Sequence, residues 1–504
     1  MRGGEEASNA MRASARQIEA YPPSAAYAAL ATRAWGAVRE PVTDPYGFPY
    51  SERHLRCVWF DPAFRPPSLR THAGEEILVV DPGRWNLETG PDFMDAVLLA
   101  GPEKRRLTGD VEIHVRPSGW TQHGHRDDPR YARVIAHVSY FPGILPQGHL
   151  PPAAVQVSLR NDLTANPFFS FENVDVTAYP YASRSRSTPC RNALAERSPA
   201  DVEAFLESAG AERLRVKAER LVMAIRERGP EQTLYEEVLC ALGYKQNRVP
   251  FRQLARRLPL EELREEAAGD VTTAYAVLAG ISGLLPARIG AGWDPESRAY
   301  ARRIWDLWWK RGTRLELRVM PREAWALAGV RPPNHPLRRL MAAAALFAGP
   351  SELGTRLLER EGDTAEEWLR KVSRLLQPSA PDGYWLHHYT FSGRRSEAAV
   401  GLIGPGRIAA MIGNVILPWV TASEPERLPA AGLLPRLPPE DDNALVRRAA
   451  HALLGADHNP ALYRTGLRQQ GFLQVFHDFC LNDRSGCAEC PLPQALRSGF
   501  GQAP

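Results

Sequence analysis

A change of period restricts this chain's fold more than any other feature. Between Glu75 and Arg160, five short segments carry strand patterning, and each stops at Pro, Gly or a polar turn. They are "EEILVVDPG" (75–83), "DFMDAVLLA" (92–100), "DVEIHVRP" (110–117), "ARVIAHVSYF" (132–141) and "AAVQVSLR" (153–160). Beyond about residue 186 the apolar residues recur at helical spacing. The first such stretch, 198–229, opens on a Ser cap and a first-turn Pro. Further helices are expected at 231–243, 260–284, 296–311, 336–347, 351–360, 363–376, 405–416 and 443–454. An earlier helix over 23–40 is expected to pack on the sheet formed by residues 70–165.

At 504 residues the chain exceeds one ordinary core. The pattern predicts an α+β protein with a small, polar, disordered tail (1–20) and a β-rich domain (21–180). A larger helical domain (190–504) follows, joined by "YPYASRSRSTP" (179–189). The longest apolar run, Ile408 to Val420, is broken by Gly413, Asn414 and Pro418, so no membrane span is expected. The N-terminus lacks the apolar segment of a secretion signal, which makes the cytoplasm the expected location. A net charge of +4 neither demands nor excludes a nucleic-acid partner.

Side chains at i, i+2 and i+4 of a strand share a face. Asp110, Glu112 and His114 therefore line one face of the 110–117 strand, and Val111, Ile113 and Val115 the other. A solvated hairpin face would account for this alternation. The neighbours argue for a site instead. Asp92 begins the preceding strand, and the turn "GPEKRRLTG" would bring it back toward Glu112. Two facing carboxylates make a hard-oxygen site suited to Mg²⁺ or Mn²⁺. His123 and His125 follow directly. His137, in "VIAHVSY", reads as a core histidine, and Trp120 as packing or a stacking surface for a base.

The hairpin resembles that of PD-(D/E)xK nucleases, with Pro91-Asp92 on one strand and Glu112-Ile113-His114 on the next. His114 stands where that family has Lys, and the helix before the fourth strand is short. The resemblance implies a restriction-endonuclease-like domain acting on DNA or RNA. In that reading Asp92, Glu112 and His114 are catalytic, Asp110, His123 and His125 support them, and Asp92 and Glu112 hold Mg²⁺ or Mn²⁺. A second resemblance rests on G-x-W-N, G-P-D-F, G-D-V-E-I-H and W-x-x-H-G-H. It continues through "STPCRNAL", "ERLRVKAERL", "LYEEVLCALGYKQNRVPFRQLA" and "RPPNHPLRRL". These elements resemble a bacterial family defined by a domain of unknown function, which implies membership but no activity.

Three of the six cysteines cluster as Cys480-x6-Cys487-x2-Cys490. Such spacing suits one metal centre better than three free thiols. A closed site needs a fourth ligand. Cys190, in an irregular segment, is the first choice and His477 the second. Cys57 ("RCVWF") reads as part of a buried strand and Cys240 as part of a helix's apolar face. The spacing is similar to the first three ligands of the iron–sulfur loop in endonuclease III-type glycosylases, and some PD-(D/E)xK nucleases carry a comparable cluster with one distant Cys. These likenesses imply a [4Fe–4S] cluster or Zn²⁺. Trp305, Trp308 and Trp309 read as core, and the Arg residues of "RPPNHPLRRL" as solvated.

Three functions fit these residues. One is a metal-dependent nuclease-like enzyme. Another is a non-catalytic nucleic-acid-binding or assembly protein stapled by a metal. The third is a metal-dependent hydrolase of a small substrate.

Overall fold

The computed structural model describes residues 22–35, 48, 50–180, 188–349, 352–359, 364–424, 432–440, 443–455, 457–481, 487, 490–498 and 500. The expected tail (1–20) and most of the connector 179–189 lie outside the described residues.

Helix α1 (Ala25–Trp35) and helix α2 (Glu52–Phe60) precede the sheet. Seven strands follow: β1 (Leu69–Arg70), β2 (Glu76–Asp81), β3 (Arg84–Trp85), β4 (Phe93–Ala100), β5 (Arg105–His114), β6 (Val134–Ser139) and β7 (Val155–Ser158). Their order is β1-β2-β4-β5-β6-β7, with β3 pairing on β4. β2, β4 and β5 are antiparallel, whereas β6 runs parallel to β5 and β7 parallel to β6. The β5–β6 crossover contains one short helix, α3 (Gly119–Gln122), and two single turns.

Three sequence expectations fail here. "RCVWF" is helical: Leu55, Val58 and Trp59 recur at helical spacing and are buried, and the Ser51 N–H donates to His54 Nδ1 (3.3 Å) at the helix start. Cys57 is thus a buried helical residue. Helix α2, not α1, packs against β5; α1 lies against helix α4 (Pro199–Arg228) and the C-terminal helix Leu492–Arg497. The expected 260–284 helix is two helices, Leu260–Ala267 and Val271–Ile281. Ala268 and Gly269 have positive φ between them, and Asp270 caps the second.

Helix α4 runs through two hydrophobic cores. Val202, Phe205 and Leu206 join the core under the sheet, while Leu214, Leu221 and Val222 join the core of the helical region. The C-terminal residues Val446, Leu453, Phe472 and Leu492 pack into the sheet's core, so the chain's end returns to the sheet. Arg338 and Arg339 are buried rather than solvated. They donate to the carbonyls of Trp385 (2.8 Å) and Leu402, which ties down the aromatic loop after residue 382. Of the three tryptophans, Trp308 is buried and Trp309 exposed. Among the described residues no helix is long and apolar enough to cross a membrane.

Helix Gly466–Val475 crosses α4 at backbone contact. A Cβ on Gly471 would lie 2.0 Å from the Leu206 carbonyl oxygen, and one on Gly210 would lie 2.2 Å from that of Leu467. Gly471→Ala is therefore expected to destabilise despite the roughly 1 kcal/mol that Ala gains over Gly in a helix, because overpacking costs about 1–3 kcal/mol or more. The denaturant midpoint should fall; an unchanged or raised midpoint would contradict so close a crossing.

Candidate functional site: a glutamate and a histidine cluster

Burial removes the solvated-face reading. Asp92, Asp110, Glu112, His114 and His137 are all at most 3% exposed. Ionisable groups in such surroundings need partners, since desolvation of a lone charge is costly.

The β4–β5 register pairs Phe93 with Val111, which sets Asp92 beside Glu112. The Asp92 N–H donates to Glu112 Oε2 (3.0 Å), and the Ile113 N–H to Asp92 Oδ2 (2.9 Å). The other Asp92 oxygen lies 2.6 Å from Arg56 Nε of α2. Asp92 therefore braces the hairpin and is charge-paired. Asp110 turns elsewhere: its Oδ1 accepts the Asp95 N–H (3.1 Å), and it does not join the cluster.

The second Glu112 oxygen faces imidazoles. Its Oε1 is 3.2 Å from His125 Nε2 and 3.6 Å from His114 Nε2. His114 Nε2 is in turn 3.2 Å from His123 Nδ1. Donor atoms of His114, His123 and His125 all lie within 4.8 Å of one another. A tetrahedron with metal–ligand bonds of about 2.0–2.1 Å has edges of roughly 3.3–3.4 Å. These three separations lie close to that edge, so the three histidines can share one ion, with Glu112 against two of them. The donor set, imidazole with one carboxylate, suits Zn²⁺ or Mn²⁺ better than Mg²⁺.

The cluster is backed from behind. β6 pairs His137 with Glu112, and His137 Nε2 lies 3.0 Å from His114 Nδ1. A partner on the far nitrogen fixes which nitrogen of His114 faces the cluster. Tyr131 stacks on His125 at 3.9 Å. Trp120 is fully buried, donates to the His149 carbonyl (2.8 Å) and meets His125 and His137 edge-on. It is a wall of the site, with no face left for a base. Burial holds the His114 ring well below its ordinary value, helped by the His137 charge, and lowers His125 and His137 to about 4. Neutral imidazoles are the ligand form. Burial also holds the Glu112 carboxyl well above its ordinary range.

Gly119, at the start of α3, abuts His114: a Cβ there would lie 2.6 Å from His114 Cδ2. Gly119→Ala should push the ring out of register. A roughly 10–100-fold loss of metal affinity is expected, the scale seen when a ligand's orientation is disturbed. Titration with Zn²⁺ or Mn²⁺ checks this, and unchanged affinity would contradict the packing argument.

His123 and Gly119 also line a cavity of about 770 Å³ on the helical side of the sheet. Arg213, Lys217 and Arg220 of α4 line it too, with Tyr244, Arg407 and the carboxylates Glu172 and Glu440. The sequence reading missed this lining and Arg56, Gly119 and Tyr131.

The four cysteines meet. Cys190, Cys480, Cys487 and Cys490 line one cavity of about 10 Å³, between Thr188, Phe479 and Leu492. A hydrogen bond with Cys490, then burial, pushes the Cys190 thiol up. His477, the second choice as ligand, lines the large cavity instead.

A family model described as a protein of unknown function (DUF2851) matches residues 52–431. That span holds Asp92, the whole histidine cluster and Cys190, and ends before Cys480. No curated protein and no solved structure matches the chain.

Proposed function

The chain belongs to the DUF2851 family, and we propose that it is a metal-dependent hydrolase of phosphodiesters in nucleic acid. One observation carries this reading: His114, His123 and His125 converge within reach of one ion, with Glu112 against two of them, beside a cavity whose lining includes a row of cations on α4. A divalent ion held there would supply Lewis acidity and an activated water. Glu112 would bring the one negative charge of the donor set. His137 would hold His114 in place, and Asp92, neutralised by Arg56, would keep the two strands in register. The strand order supports the nuclease-like version, because an antiparallel hairpin bearing Asp92 and Glu112 is followed by a parallel strand. That arrangement resembles the PD-(D/E)xK plan, with imidazoles in place of its Lys. Mn²⁺ satisfies both that plan and the imidazoles.

We also infer that the four cysteines hold Zn²⁺ or a [4Fe–4S] cluster as a structural centre. The pairing of Asp92 with Arg56 favours one alternative, a non-catalytic nucleic-acid-binding protein in which the strand residues form a fixed network. Incubation of the purified chain with Mn²⁺, Zn²⁺ or Mg²⁺ tests between them. The substrates are single-stranded and duplex DNA and RNA, and a small aryl phosphodiester. Metal-dependent cutting of nucleic acid is expected. Turnover of the small diester alone would favour a small-molecule hydrolase, and no turnover with any metal would overturn the enzyme reading.

A further inference from the structure

We propose that the large cavity receives a single-stranded nucleic-acid end, with its phosphates on the Arg213–Lys217–Arg220 wall and the strand leading to the histidine cluster. This rests on the phosphodiesterase reading and names its substrate form.

The wall is a row of cations whose direct hydrogen-bond partners are mostly uncharged. Arg213, Lys217 and Arg220 follow one another at i, i+4 and i+7 on α4, so their side chains share a face. Arg213 Nε donates to Gln470 Oε1 (3.0 Å), and Lys217 Nζ donates to Asn414 Oδ1 and to Gln470 Oε1 (3.4 Å). These acceptors are amides, and Asn414 and Gln470 both donate in turn to Glu440 Oε1 (2.6 and 3.2 Å), a carboxylate on this wall. Arg220 lies 3.8 Å from Glu172, a carboxylate it shares with the Tyr50 hydroxyl (3.0 Å), and its buried Nε has no hydrogen-bond partner. Arg407 lies over the Tyr244 ring at 3.4 Å, and its buried Nε likewise has no partner. Among the described residues, no carboxylate sits at ion-pair distance from Arg213, Lys217 or Arg407. Burial, reinforced by the Arg213 charge, holds the Lys217 ammonium well below its ordinary range. An arriving anion would relieve that cost.

Size defines the ligand further. A volume of about 770 Å³ lies within the roughly 300–1,000 Å³ of small-ligand sites. It accommodates a few nucleotides and excludes a duplex. Tyr50 and Tyr244 in the lining hold Arg220 (5.0 Å) and Arg407 (3.4 Å) over their rings, which keeps both guanidiniums at the cavity. His123 lines this cavity and lies 3.2 Å from His114, so it links the cavity to the histidine cluster.

Fluorescence anisotropy in the Glu112→Gln background separates binding from cutting. The probes are a labelled single-stranded 12-mer, the same sequence as a blunt duplex, and a labelled mononucleotide. The single strand should bind best. Lys217→Gln combined with Arg213→Gln should weaken it about tenfold and make the salt dependence shallower by about 0.7 per lost phosphate contact. Lys217→Arg should retain binding, which shows that charge rather than folding is lost. Equal binding of the duplex or the mononucleotide, or an unaffected double variant, would overturn the inference. Failure of the chain to cut, with these binding results intact, would sink the hydrolase reading alone.

Discussion

Glu112→Gln is expected to lower metal-dependent phosphodiester turnover by on the order of 10²–10³-fold or more, the scale of removing one preorganised charge-stabilising group. Among the described residues, Glu112 is the only carboxylate within 4 Å of the cluster's imidazoles. The amide oxygen of Gln can still accept the Asp92 N–H that Glu112 Oε2 accepts now, so the hairpin should hold. What disappears is the negative charge. An amide is a weak ligand, and three imidazoles alone leave the ion's charge uncompensated. Stability should move the other way. Glu112 is buried and its carboxyl is held well above its ordinary range, so in metal-free protein the neutral isostere carries no desolvation penalty. The variant's denaturant midpoint should equal or exceed that of the metal-free parent. Equal turnover in both proteins would attribute the cutting to a contaminant.

Cys190→Ser should release the cysteine-bound metal and destabilise the sheet's side of the molecule. Cys190 sits on the helix Pro189–Ala195, whose capping Thr188 hydroxyl donates to the Ala452 carbonyl (2.6 Å). The other three cysteines come from the chain's end, so a shared ion would close a very long loop. Structural zinc contributes folding free energy directly, roughly 10–16 kcal/mol in small zinc-binding peptides. Even a quarter of that would lower the melting temperature by roughly 10 °C at about 2–4 °C per kcal/mol. Metal content, melting temperature and visible absorbance together check this. Broad absorbance in the anaerobically purified parent identifies iron–sulfur, and its absence with one bound zinc identifies Zn²⁺. A Cys190→Ser variant that keeps both its metal and its melting temperature would contradict a four-cysteine centre.

Much of the sheet was legible because period-two patterning and Pro or Gly stops mark strands locally. β2, β4, β5, β6 and β7 fall inside the expected segments or within a few residues of them. Helix α2 was not legible as a helix, because "RCVWF" is rich in residues that favour strands and only its packing on β5 decides the matter. The site divides the same way. Glu112, His114, His123 and His125 stood out as ionisable residues around one strand and its following turn. Their convergence depends on tertiary features: the left-handed Gly124 that starts the turn before His125, and the bare Gly119 against His114. The Arg56–Asp92 pair and the His137 prop come from another helix and another strand. No local spacing signals either. The Arg213–Lys217–Arg220 stripe looks like any solvated helix face until the fold places it on the same cavity as His123.

The central claim is that His114, His123 and His125 hold one ion beside Glu112. Metal analysis of Cys190→Ser chains reconstituted with Zn²⁺ or Mn²⁺ isolates that site from the cysteines. The account predicts one tightly bound ion per chain, lost when His114→Ala is added and retained when Asp110→Asn is added. No bound ion in the Cys190→Ser chain, or one indifferent to His114→Ala, would contradict it.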